Sequence, residues 1–432
     1  MAPKLSPKPI RFRFPDSDLE KLQRQLDDTL LPEEELVEDA GWKYGTDLSK
    51  LKQLVEDWKR GDAVDAFGKN TGPGGGVSAW WRKVEERINR YPHYIAEIEG
   101  VQVHYQVARS PETDAIPLIF SHGWPGSFFE ADLLLDKLTR PDVSGRSFHV
   151  VVPSLIGYGL SGKPPKQGWS LEDTARLFDK LMTEVLGFQT YAAHGGDWGY
   201  TITRLLARYD ACTAYHTNFL VPNIPTYALP VMGLAKMGYS SITDRLLPYI
   251  FDARDVNLLK RGLEYMSVGS GYYQIQATKP ATVGYALYDS PVGILSYLLE
   301  KFREWSDRRA PAFQPAGQGE QSSGMTDENI LISATIYYLT KSTHTSFLPY
   351  YESGYLFDKF AKDRTFTAPA RKKPFGHSRF PWELAGSPKP WIGRLDVNLK
   401  SLKEHDYGGH FAALDNPNAL SSDLREFFTA HF

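Results

Sequence analysis

An aspartate occupies the centre of the segment HGGDWGY, residues 194–200, with Gly195, Gly196 and Gly199 around it. This is the G-x-nucleophile-x-G spacing of a nucleophile elbow, a sharp strand-to-helix turn that exposes its central side chain. Serine is the usual centre and attacks acyl carbon. A carboxylate does different chemistry, displacing a leaving group from saturated carbon to give an alkyl ester on the protein. Such an ester must then be hydrolysed, which requires a base. His410, in YGGHFAALD near the C-terminus, stands where an elbow-bearing chain carries its histidine, last in the order nucleophile, acid, histidine.

Two acids compete to orient His410. Glu383 in FPWEL follows one expected strand and Asp396 in RLDV ends another, and the residues alone do not separate them. The segment SHGWPG, residues 121–126, leaves an expected strand with a His-Gly turn. A turn there places the backbone amide of Trp124 as one oxyanion donor, and the amide of Trp198 supplies the second. Plainer readings exist for each group. An aspartate at that position can simply cap the following helix, a lone histidine is usually structural, and HGWPG can be only a tight turn. Their occurrence together in one order favours chemistry. The remaining ten histidines show no metal-ligand spacing such as H-E-x-x-H, so no metal and no cofactor is expected.

These groups need a scaffold that brings them to one edge. The runs IPLIF (116–120), FHVVVP (148–153) and TYAAH (190–194) read as buried parallel strands. Between the last two, Ser170 with Asp173 marks a helix start and Gly187 its stop. The alternation predicts an open, mostly parallel α/β sheet, whose sites lie beyond the carboxyl ends of the strands. Residues 1–100 read as a helical, polar-rich N-terminal extension, ending in strands around a turn at Gly100. The sheet then occupies 101–222. Residues 223–365 lose the strand pattern and read as a helical, aromatic lid, with a polar loop at 308–324, before the α/β pattern resumes over 366–432 in RKKPFGHSRFP (371–381) and KPWIGRLDV (389–397). KNTGPGGGVS (69–78) lacks the Lys-Ser/Thr and the preceding strand of a phosphate cradle and reads as a surface loop.

Of the 432 residues, 42% are hydrophobic and 23% charged, the balance of a packed globular interior. A net charge of −3 provides no field for nucleic acid or an anionic membrane. Cys212 is the sole cysteine, which excludes an internal disulfide and fits a reducing compartment. The N-terminus MAPKLSPKPIRFRF has no apolar run for a signal peptide or anchor. The most apolar long stretch, 219–239, is broken by Pro222, Pro225 and Pro230 and carries Lys236, so it reads as a buried loop and helix. A soluble cytoplasmic protein is expected.

HGWPGS, GYGLSG, GGDWGY and GGHFAALD, in this order and at these spacings, resemble the epoxide hydrolases of the microsomal type, including their soluble fungal members. The resemblance covers nearly the whole chain and implies the α/β-hydrolase fold with a helical lid. It further implies that Asp197 is the nucleophile, His410 the base and Glu383, at the family's F-P-x-E position, the acid, in preference to Asp396. Two lid tyrosines that bind the epoxide oxygen are implied at Tyr272, in SGYYQIQATKP, and at Tyr350, in THTSFLPYYE, with Tyr351 beside it as the alternative. A phenol suits that task, since it stays neutral at pH 7 and donates to a developing alkoxide. The implied partner is a small-molecule epoxide, and pairing as a homodimer is open. The chain departs from the microsomal members in its polar start, where they carry an anchoring helix, and in the insertion around KNTGPGGG. The nearest enzymatic alternative is a haloalkane dehalogenase, which shares the elbow aspartate but often carries Asn after His-Gly, where this chain has Trp124. The other alternative is an inactive ligand-binding protein on the same fold, which would be expected to have lost part of the triad.

Overall fold

The computed structural model describes residues 6–61, 75–141, 146–221, 225 and 245–432. Its strands are β1 (Lys8–Ile10), β2 (His93–Ile98), β3 (Val101–Ala108), β4 (Ile116–Ser121), β5 (Phe148–Pro153), β6 (Tyr191–Gly195), β7 (Cys212–Thr217), β8 (Pro374–Arg379) and β9 (Asn398–Glu404). Among the described residues they form one sheet in the order β1-β2-β3-β5-β4-β6-β7-β8-β9. The first three are antiparallel to their neighbours and the remaining six are mutually parallel. The sheet resembles the α/β-hydrolase architecture expected from the motifs.

The apolar runs behave as buried parallel strands should. Leu118, Ile119, Val150, Val151, Ala192 and Ala193 are fully buried, because helices cover both faces of the sheet. After β5, helix α5 (Leu171–Lys180) begins on a complete capping box from Ser170 and Asp173 and ends, after one π turn, near Gly187 at φ +76°. The β2–β3 hairpin turns at Glu99 and Gly100, with φ of +54° and +76°, the left-handed pair of a two-residue hairpin.

The boundary expected at residue 100 falls inside that hairpin. Among the described residues, 8–98 therefore contribute two strands to the sheet as well as three helices, α1 (Asp16–Asp27), α2 (Leu48–Arg60) and α3 (Gly76–Ile88). The helices bury Leu22, Trp58, Trp80 and Trp81 completely or nearly so. They also tie down the helical region between β7 and β8. Thr46 Oγ1 donates to the carbonyl of Ser296 at 2.6 Å, Lys50 pairs with Asp327 at 2.8 Å, and Lys21 pairs with Asp289 at 2.7 Å. Most of KNTGPGGGVS, 69–74, and Pro222, Pro230 and Lys236 of the apolar stretch lie outside the described residues. No helix among the described residues is long and apolar enough to cross a membrane.

KPWIGRLDV is not a strand. Lys389–Ile392 is a single helical turn, and β9 begins at Asn398, after Asp396. The apolar signal came from Trp391, Ile392 and Leu395, which are buried at a turn. The actual strand, NLKSLKE, lies at the sheet's edge, with Leu399 and Lys400 exposed. Lysines on an edge strand discourage pairing with another chain, and they also remove the apolar alternation that sequence reading relies on.

Deleting residues 1–90 strips β1 from β2 and removes the helices that cover the lid. The expected outcome is insoluble or unfolded protein, assayed by soluble yield and circular dichroism. A soluble, fully active truncation would contradict this packing role.

Candidate active site

The parallel strands end on one edge, and four of them deliver the candidate groups. β4 leads into His122–Gly126, β6 into Asp197, β8 into Glu383 and β9 into His410. Asp197 sits between β6 and helix α6 (Trp198–Leu206) at φ +51°, ψ −130°, a sparsely populated conformation for a residue with a side chain. The turn closes because its neighbours are glycines. A Cβ on Gly199 would lie 1.9 Å from the carbonyl oxygen of Ser121, and one on Gly195 would lie 2.5 Å from the carbonyl oxygen of Gly199. Gly123 is equally constrained, since its Cβ would fall 2.1 Å from Asp197 Oδ1.

The carboxylate does not cap α6; its side chain makes no capping hydrogen bond. Instead, Oδ1 accepts a 2.7 Å hydrogen bond from the amide of Trp124. Trp198, the first residue of α6, carries one of the amides that a helix start leaves without an intrahelical acceptor. His410 lies on the other side, with Nε2 at 3.2 Å from Asp197 Oδ2. That approach is off the axis of an aligned hydrogen bond, so the contact is ionic. At the far side of the ring, Nδ1 meets Glu383 Oε1 at 2.6 Å.

Both partners are held from behind. A parallel bridge between Trp382 and Gly409 aligns the two loops, the amide of His410 donates to the carbonyl of Trp305, and Asn218 donates to the carbonyl of His410. The amide of Leu384 donates to Glu383 Oε1 at 2.7 Å. Burial by itself would push the His410 imidazole down. The charges of Glu383 and Asp197 outweigh it and hold the ring up at about 10, so it is an imidazolium at neutral pH. Asp396 is not brought here. It precedes β9 at the opposite end of the sheet, where it accepts from Thr367 and pairs with Arg371.

Above Asp197 lies a cavity of about 400 Å³ whose walls include Trp198, Phe219, Tyr265, Tyr272 and Tyr350. Tyr272 comes from the helix Gly271–Thr278 and Tyr350 from Leu348–Ser353. Both rings are almost fully buried, and their centroids are 5.7 Å apart. Tyr351 points the other way and is 57% exposed. Burial, together with nearby Asp197, lifts both phenols well above their ordinary value, so each keeps its proton. Among the described residues, the buried hydroxyl of Tyr350 makes no aligned hydrogen bond. The indole of Trp124 stacks on Tyr272 at 5.1 Å, and the ammonium of Lys301 lies 4.9 Å from the centroid of the same phenol.

Sequence reading singled out neither Tyr265 nor Lys301. Tyr265 stands seven residues before Tyr272, but a π turn over Tyr265–Gly269 and a break at Ser270 separate it from the helix that carries Tyr272, so no regular spacing marks it. Lys301 carried no local signal, since its meaning comes from a ring contributed by a different helix. Among the described residues, no group of three His, Cys, Asp or Glu side chains is arranged to hold a metal ion.

The chain is similar to known proteins along nearly its whole length. Residues 7–131 match the family described as epoxide hydrolase N terminus, and residues 116–212 match the alpha/beta hydrolase fold. Epoxide hydrolase 1 of Sus scrofa is 32% identical over 437 residues, covering 97% of this chain and 88% of that protein. The structure of Aspergillus niger epoxide hydrolase superimposes with a TM-score of 0.76 at 29% identity, over 99% of this chain and 97% of the other. The juvenile hormone epoxide hydrolase of the silkworm Bombyx mori gives a TM-score of 0.79 at 26% identity, over 99% and 95%.

The elbow's dependence on glycine is open to direct test. Gly199→Ala should cost about 1–3 kcal/mol of unfolding free energy or more, as overpacking against fixed backbone does, and should abolish activity. Gly262→Ala is the control: its helical Cβ meets nothing within 4 Å and should be neutral or stabilising by about 0.5–1 kcal/mol. Urea melts of both variants provide the comparison, and equal stabilities would contradict the crowding at Gly199.

Proposed function

Because this chain belongs to the epoxide hydrolase family of the α/β-hydrolase fold and hydrolyses an epoxide to a vicinal diol, we propose that it works through a covalent ester on Asp197. In this reading Oδ2 attacks one carbon of the strained ring, the C–O bond opens, and the released oxygen is received by the hydroxyls of Tyr272 and Tyr350. Oδ1 becomes the ester carbonyl, already resting on the amide of Trp124. Each donor to the developing oxyanion is worth about 2–4 kcal/mol, by analogy with oxyanion-hole donors.

The second half-reaction belongs to His410. Esterification removes the Asp197 charge and with it part of what keeps the imidazole protonated, so the ring releases its proton and becomes a base. It then takes a proton from water, which attacks the ester carbonyl carbon. Charge gathers on Oδ1 against the amides of Trp124 and Trp198. The acyl C–O bond breaks, Oδ2 departs with the diol carrying the proton from His410, and the ring then takes up the second proton of the attacking water, leaving a carboxylate on Asp197 and the imidazolium restored. Glu383 keeps the ring oriented throughout. The observation that carries this reading is the double engagement of one carboxylate, Oδ1 by the Trp124 amide at 2.7 Å and Oδ2 by His410 at 3.2 Å. The aromatic cavity above it suits a small-molecule epoxide.

Removing the base should separate the two halves. His410→Gln should still form the ester but hydrolyse it about 10²–10⁴-fold more slowly, the range that general-base catalysis spans. Intact-protein mass spectrometry after mixing with styrene oxide should show an adduct of the whole substrate mass, and tryptic mapping should place it on Asp197. Normal turnover by this variant would rule out His410 as the base.

A further inference from the structure

The two tyrosines over Asp197 are not equivalent. Among the described residues, the buried hydroxyl of Tyr350 makes no aligned hydrogen bond, although it lies near that of Tyr272, whereas the hydroxyl of Tyr272 lies 3.1 Å from that of Tyr265. Between two phenols at hydrogen-bond distance, one donates and the other accepts. If Tyr272 directs its proton at the epoxide oxygen, its own oxygen is left as the acceptor. Tyr265 must then be the donor. It is half-buried on the wall of the same cavity and followed in sequence by the 44%-exposed Met266, so it links Tyr272 towards solvent.

We propose that Tyr265 is a positioning residue that donates to Tyr272, fixes its proton towards the substrate and replenishes it as the ring opens. This rests on the reading of Tyr272 as a donor to the epoxide oxygen. The protons balance. The O–H of Tyr272 breaks as a new O–H forms on the opened oxygen, the proton of Tyr265 moves to Tyr272, and water at the cavity supplies Tyr265. The proton taken up in this way is matched by the one His410 releases after esterification. A hydrogen bond received by Tyr272 also makes it a stronger donor, since linked hydrogen bonds polarise one another. The nearly buried ammonium of Lys301, paired with Glu300 at 2.5 Å, packs 4.9 Å from the Tyr272 ring centroid and helps fix the ring's position. Tyr350, with no such support, acts as a fixed donor.

The test is the rate of ester formation in single turnovers of the full-length protein with styrene oxide, for Tyr265→Phe alone and combined with Tyr272→Phe or Tyr350→Phe. Tyr265→Phe should slow alkylation about two- to tenfold, the weight of one hydrogen bond, and leave ester hydrolysis unchanged. The same factor should persist on the Tyr350→Phe background and vanish on the Tyr272→Phe background, because the effect passes through the Tyr272 hydroxyl. Slowing that survives on the Tyr272→Phe background, or hydrolysis falling in step with alkylation, would mean that Tyr265 only shapes the pocket, and would overturn the proposal. Unchanged alkylation in Tyr265→Phe would overturn it too. Wild-type alkylation in Tyr272→Phe itself would remove the donor role on which the proposal rests, a distinct and recognisable failure.

Discussion

Asp197 reaches the cavity only because its backbone is held at φ +51°, ψ −130°, a conformation that costs on the order of 1–3 kcal/mol for a residue with a side chain. Tight packing keeps it there. Gly199 lies against the carbonyl of Ser121 at the end of β4, and Gly123 lies against the carboxylate itself, each where no side chain would fit. In any relaxed conformation the carboxylate could turn to cap α6, and the amide of Trp124 would lose its acceptor. The strain is therefore coupled to function: the same approach of β4 and β6 that forces the elbow supplies the hydrogen bond that holds Oδ1.

Trp124 links this floor to the lid. Its amide engages Asp197 while its indole stacks on Tyr272 and meets Tyr350 and Trp305 edge-on, at centroid distances of 5.1, 5.9 and 6.2 Å. The vertical register between Asp197 and the lid phenols is thus set by one rigid side chain. The lid helices are in turn anchored by the N-terminal extension. Thr46, Lys50 and Lys21 reach Ser296, Asp327 and Asp289, and the hydroxyl of Tyr338 bonds Gln25. Although the extension carries none of the groups in the proposed reaction, it helps hold the lid phenols above Asp197.

The groups that the structure brings to one sheet edge are legible where each is tied to a short-range requirement. The glycines of the elbow, the His-Gly turn before Trp124 and the capping box at Ser170 all leave local patterns. The choice between Glu383 and Asp396 did not. It depends on where β9 begins, and that edge strand is lysine-rich and half-exposed, with no apolar alternation to mark it. Tyr350 and Tyr351 are likewise indistinguishable as letters. Burial separates them, 3% against 57% exposed, and burial follows from how a short helix packs over a site made by distant strands. The N-terminal boundary at residue 100 falls inside a hairpin because the described helices at 16–27, 48–60 and 76–88 leave the short strands β1 and β2 little signal of their own. Tyr265 and Lys301 went unread since their roles exist only through contacts with Tyr272.

The central claim, that the carboxylate of Asp197 and not water opens the epoxide, predicts the fate of one oxygen atom. In a single turnover in H₂¹⁸O with enzyme in excess, water attacks the ester carbonyl, so the label should remain in the protein while the diol leaves with an oxygen from Asp197. Mass spectrometry of the diol and of the peptide containing Asp197 reads both outcomes. Unlabelled diol and ¹⁸O in Asp197 are the expected outcome. Labelled diol with an unlabelled aspartate in that first turnover would show direct attack by water and contradict it.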